Sequence, residues 1–189
     1  MGTRGKETNF TKIMIFEMCR DIEIKLSQIY THFSQIFRTD AKACKLWEKT
    51  AQEEENHARQ CELAVKLLKE GFIGDISADV EEVRAALVML EEVFDRVVKE
   101  PPSLIRALEL AIRIEEYFTK FHALSVAWFT DFSLQELFAA LMNADRLHVE
   151  ALKSAYEAEC RMAADLGQPS CLYPSQSASL DSLPGKFPV

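Results

Sequence analysis

Three observations predict an all-α fold. Glycine stands only at 2, 5, 71, 74, 167 and 185, and proline only at 101, 102, 169, 174, 184 and 188. The long stretches between these breakers are filled with Ala, Leu, Glu, Lys and Ile, which favour helix. Within them, apolar residues recur at alternating spacings of three and four, the period of one helix face. With 189 residues, 48% of them hydrophobic and 28% charged, the chain can bury one sizeable core and fits neither a membrane nor a collagen class.

Residues 1–8 form an N-terminal segment. Met1 to Lys6 is polar, no apolar stretch follows it, and Lys6 stands where myristoylation requires Ser or Thr. Later apolar runs are all broken by charge, so a cytoplasmic protein is expected. The first helix is predicted from about residue 9 to 38, with Phe16, Cys19, Glu23, Leu26, Tyr30, Phe33 and Phe37 along one stripe. Thr39-Asp40 makes a short turn with Asp40 as N-cap, and the second helix then runs to Glu70 and stops at Gly71. Its stripe is Trp47, Ala51, Glu54, His57, Cys61, Val65 and Leu68. So short a turn makes the two helices antiparallel neighbours.

Residues 71–102 form a long connection containing a helix predicted over 79–99, on Val83, Leu87, Leu90, Phe94 and Val97. At ~1.5 Å per residue it spans roughly 30 Å, enough to carry the chain from one end of a bundle to the other. Pro101-Pro102-Ser103 opens a third main helix, predicted to about Thr130, on Leu108, Ile112, Glu115, Phe118, His122, Val126 and Phe129. Ser133-Leu134-Gln135-Glu136 reads as a capping box for a fourth, predicted to about Ala164. Its stripe is Leu134, Phe138, Leu141, Asp145, His148, Leu152 and Ala155. The domain thus covers 9–166, and 167–189 is an extended tail rich in proline and serine. Trp47 and Trp128 read as core, and His32, off the stripe, as exposed.

The formal net charge of −8 argues against nucleic acid or anionic lipid as a partner. The five cysteines, at 19, 44, 61, 160 and 171, form no Cys-x-x-Cys pair, which excludes a thioredoxin motif and a zinc ribbon within the chain. They read as small buried apolar residues. The additional helix and the tail residues Leu172, Tyr173, Phe187 and Val189 have surface to cover, and point to a homodimer.

Each main helix carries a carboxylate on its apolar stripe: Glu23, Glu54, Glu115 and Asp145. The second and fourth add a histidine three residues on, His57 and His148, on the same face. Glu54 follows Glu23 by 31 residues and Asp145 follows Glu115 by 30, so the chain reads as two helical hairpins of one design. Buried carboxylates are costly unless paired or bound to a cation, and two metal ions account for four of them. Carboxylate oxygen and imidazole nitrogen suit iron, manganese or zinc.

This inventory resembles the ferritin-like di-iron carboxylate superfamily, and within it the rubrerythrin-like proteins. The words that carry the likeness are Asp21-Ile22-Glu23-Ile24 with Tyr30 seven residues after Glu23, Thr50 to Ala58, Leu108 to Glu116, and Asp145-Arg146-Leu147-His148. The resemblance implies a four-helix bundle with a long helical crossover between helices two and three. It implies two iron ions, with manganese or zinc as alternatives, bridged by Glu54 and Asp145. Glu23 and His57 would complete one ion, and Glu115 and His148 the other. Tyr30 would be a hydrogen-bond donor near Glu23, and His122, seven residues after Glu115, would occupy the matching place in the other half. Three departures stand out. Phe118 replaces a further glutamate of rubrerythrins, Asp145 replaces a glutamate, and no rubredoxin-like module follows.

The activity implied is that of a non-haem di-iron oxidoreductase reducing hydrogen peroxide, or reacting with dioxygen, with electrons from an external donor protein. A ferroxidase or iron-handling protein is the alternative within the same chemistry. A helical interaction module without metal is the alternative outside it.

Overall fold

The computed structural model of the chain describes residues 4–122 and 127–166, with side chains for all of these except 4–8, 120, 133, 135 and 137–148. Helix α1 spans Arg4–Ile36 and α2 spans Ala41–Glu70. They are joined by four residues and packed along each other as an antiparallel pair. The buried stripe of α1 is Ile15, Phe16, Cys19, Ile22, Glu23, Leu26, Ile29, Tyr30 and Phe33, and that of α2 runs through Trp47, Ala51, Glu54, His57, Cys61 and Leu68. These are the faces the 3.6-residue period selects. The helix begins at Arg4, before the predicted residue 9.

Both ends of α2 follow from local chemistry. The Asp40 carboxylate accepts from the Lys42 and Ala43 amides at 3.0 Å, satisfying two of the helix's free N–H groups. At the other end Gly71 adopts φ +86°, the left-handed conformation that costs glycine least. Its amide donates to the Leu68 carbonyl at 3.2 Å and the Phe72 amide to Leu67 at 2.9 Å, the paired bonds of a Schellman motif.

Strand β1, Ile73–Ile76, follows, and pairs antiparallel with β2, Ala127–Phe129, with an irregularity at Gly74. Lys12 ties this ribbon to α1, its ammonium donating to the Gly74 carbonyl at 2.7 Å and lying 3.3 Å from Asp75. Helix α3, Val80–Lys99, is capped by Asp79 and packs on α1 through Val83, Ala86, Leu90, Val93 and Val97. Glu81 and Glu82 in its first turn and Arg96 and Lys99 in its last oppose the helix dipole favourably. Helix α4, Leu104–Phe118, leads into a 3₁₀ turn, Thr119–Phe121, and α5 spans Phe132–Asp165, packed on α4.

The chain is therefore mostly helical, as the sequence predicts, with a two-stranded ribbon added. The third main helix stops at Phe118 rather than near Thr130. Thr119 accounts for the change: its hydroxyl donates to the Glu115 carbonyl at 2.6 Å, competing with the backbone ladder as the chain tightens. The N-cap of α5 is Asp131, accepting from the Leu134 amide at 3.1 Å, two residues earlier than the capping-box reading places it. Trp128, expected in the core, is 67% exposed on the ribbon, whose two strands leave a face uncovered. His32 is half-buried, its ring edge-on to Phe94 at 6.4 Å, where α3 covers α1. Cys19 and Cys61 are buried as expected, while Cys44 and Cys160 are half-buried. Residue 171 and the rest of the tail lie outside the described residues.

Trp47 is the largest side chain with no exposure; it stacks on Tyr30 at 5.8 Å and meets Phe33 edge-on at 5.0 Å. Its indole N–H has no hydrogen-bond partner among the described residues. Trp47→Ala should therefore cost about 3–5 kcal/mol in urea unfolding. Trp47→Phe, which loses area but no hydrogen bond, should cost clearly less.

Candidate metal centre

Helices α1, α2 and the end of α4 converge on a group of ionisable side chains closed to solvent. Glu23, Glu54 and Glu115 have no exposed surface, and His57 and His122 are 4% exposed. Glu23 sits in the middle of the α1 stripe, and Glu54 and His57 share one face of α2. Glu115 lies on the buried face of α4, and His122 follows the 3₁₀ turn at φ −56°, ψ 140°, where the chain leaves the helix.

His57 Nδ1 is 2.9 Å from Glu54 Oε2, a hydrogen bond, and 3.8 Å from Glu23 Oε2. His122 Nε2 is 4.0 Å from Glu23 Oε1, and the two imidazole rings are 4.6 Å apart. One donor atom from each of Glu23, Glu54, His57 and His122 lies within 4.8 Å of the other three, so the group could hold a metal ion. Bonds of about 2.0–2.2 Å to one ion allow donors no more than roughly 4.4 Å apart, so small side-chain movements would close the cage. Neither oxygen of Glu23 has a hydrogen-bond partner among the described residues. A fully buried carboxylate in that condition is strongly disfavoured unless a proton or a cation sits on it.

Electrostatics point the same way. Burial, then the neighbouring Glu115 charge, pushes the Glu54 carboxyl well above the ordinary range, opposed by its hydrogen bond to His57. Burial, then Glu115, likewise raises Tyr30, which keeps it a phenol able to donate. Its hydroxyl donates to Glu115 Oε1 at 2.5 Å. Tyr30, read from the sequence as a donor near Glu23, gives its hydrogen bond to Glu115, since the contacts 30–115 and 23–122 run antiparallel. Cys19, one turn before Glu23, is held as a neutral thiol by burial and then by the Glu23 charge, so it offers no thiolate.

Of the six ligands read from the sequence, Glu23, Glu54 and His57 stand in one group, and Glu115 stands beside it. Asp145 and His148 lie on α5, with side chains outside the described residues. His122 belongs to the group itself, closer in than its expected supporting place. Its position on the Glu115 stripe signals burial, but the turn that aims the ring has no period to read.

No protein family, characterised protein or solved structure matches the chain.

Glu54→Gln keeps the shape of the protonated acid and removes the charge. A carboxyl raised in the folded state contributes stability that is fully present below its unfolded value of 4.5 and is lost as pH rises. In chelator, the variant should therefore melt at or above wild type at pH 7, with a smaller difference at pH 5. With saturating Zn(II) the order should reverse. A variant less stable at pH 7 without metal would contradict the electrostatic account.

Proposed function

We propose that this chain is a non-haem di-iron oxidoreductase of the ferritin-like, rubrerythrin-like kind, reducing hydrogen peroxide to water with electrons from an external donor. In this reading α1, α2, α4 and α5 are the four-helix bundle and α3 is the crossover between its halves. The observation that carries it is Glu23, wholly buried, without a hydrogen-bond partner among the described residues, and facing two imidazoles. Hard oxygen and borderline nitrogen donors fit Fe(II), Mn(II) or Zn(II).

Glu23, Glu54, His57, His122 and Glu115 would hold the ions, with Asp145 and His148 of α5 completing the set that the resemblance implies. A pair of bound irons would supply the two electrons that, with two protons, convert one peroxide to two waters. The chain contributes four things to that chemistry. The carboxylates neutralise the cations, and α1 and α2 hold the donors at fixed spacing. Apolar neighbours such as Ile22, Leu26 and Ile112 exclude water. The His57–Glu54 pair shares a proton that metal entry would displace, so binding should release protons.

Anaerobic Fe(II) titration of metal-free protein should give two ions per chain, lost in Glu54→Ala, and the reduced loaded protein should then consume peroxide catalytically. Binding followed by oxidation of many ferrous equivalents, without peroxide turnover, would move the reading to a ferroxidase. No binding at all would leave a helical interaction module.

A further inference from the structure

Helix α1 meets α4 at one level and the turn after α4 at another, each setting a carboxylate against a ring. At one level Tyr30 meets Glu115 at 2.5 Å, a short donor–acceptor hydrogen bond. At the other, Glu23 meets His122 at 4.0 Å, beyond hydrogen-bond range. His57 approaches Glu23's other oxygen at 3.8 Å, again too far. Glu23 is thus bracketed by two imidazoles that come near without bonding to it. Neighbouring donors on one ion at about 2.0–2.2 Å each stand roughly 2.8–3.6 Å apart, so a contraction of a few tenths of an ångström would bring Glu23 and both imidazoles onto one ion.

The backbone supports the same assignment. The 3₁₀ turn Thr119–Phe121 ends the helix, and His122 leaves it in an extended conformation with its ring 4.6 Å from that of His57. Glu115, by contrast, already has one oxygen engaged by Tyr30.

Resting on the metal-centre reading above, we propose that His122 is a direct ligand of the first ion bound. That ion occupies a position made by Glu23, Glu54, His57 and His122, and Glu115, held by Tyr30, belongs to the second. The two positions are therefore unequal, and the first takes both of its histidines from α2 and the turn after α4.

The test is a Zn(II) titration of the metal-free full chain carrying ¹⁵N-labelled histidine, followed by ring-nitrogen NMR. Single His→Gln variants at 32, 57, 122 and 148 assign the four imidazoles. The first equivalent should move one nitrogen of His57 and one of His122 together to metal-bound shifts, leaving His32 unmoved. His122→Gln should weaken the first equivalent by at least tenfold, about the loss seen when even a supporting group is removed. If that variant fails to fold, the wild-type spectrum still decides, since the variants at 32, 57 and 148 assign the His122 ring by elimination. Zn(II) bound with His122 unmoved, or with His57 paired to a different histidine, would overturn this assignment and leave the metal centre standing. No Zn(II) bound would overturn both.

Discussion

A carboxylate buried without a hydrogen bond is the constraint around which this structure turns. Glu23 lies in the middle of the apolar face of α1, with Glu54 and Glu115 close by and no solvent in contact with any of them. An isolated buried charge costs several kcal/mol even after relaxation, against a total folding margin of about 5–15 kcal/mol. Three such groups in one core are sustainable only if protons or cations sit among them. With the two imidazoles beside Glu23, the carboxylates make a group that could hold a metal ion.

The rest of the fold fixes those groups. The four-residue link between α1 and α2, capped by Asp40, sets an antiparallel register in which Glu23 meets His57 and Phe33 meets Trp47. Trp47 in turn supports the Tyr30 ring, whose hydroxyl holds Glu115. Lys12, clipped to the ribbon, anchors the opposite end of α1. The Gly71 cap ends α2 and starts that ribbon, whose second strand delivers the chain from the turn carrying His122 towards α5. Packing thus holds the donors in place before any ion arrives, and the stability given up at the acids is offset along the helices.

Much of this was legible in the residues. The absence of Gly and Pro from long stretches marked the helices, and Asp40 and Gly71 bounded α2 to within a residue. Glu23, Glu54, His57 and Glu115 stood out as charges on apolar stripes. What escaped was non-periodic. Ala127-Trp128-Phe129 is too short to show alternation and continues a helical pattern, and its pairing with Ile73–Ile76 across more than fifty residues leaves no local mark. The 3₁₀ turn at Thr119 depends on one hydroxyl competing for a carbonyl, and it takes His122 off the helix while the residue stays beside Glu23. Trp128 follows from the same error, since a residue assigned to a helix face stands on an open ribbon.

The most direct measurement is an anomalous difference map from crystals of protein purified without chelator, collected on both sides of the iron and zinc absorption edges. The account predicts a peak within bonding distance of Glu23, Glu54 and His57. A well-ordered centre without such a peak after metal soaking, its carboxylates protonated and hydrogen-bonded to one another, would contradict it.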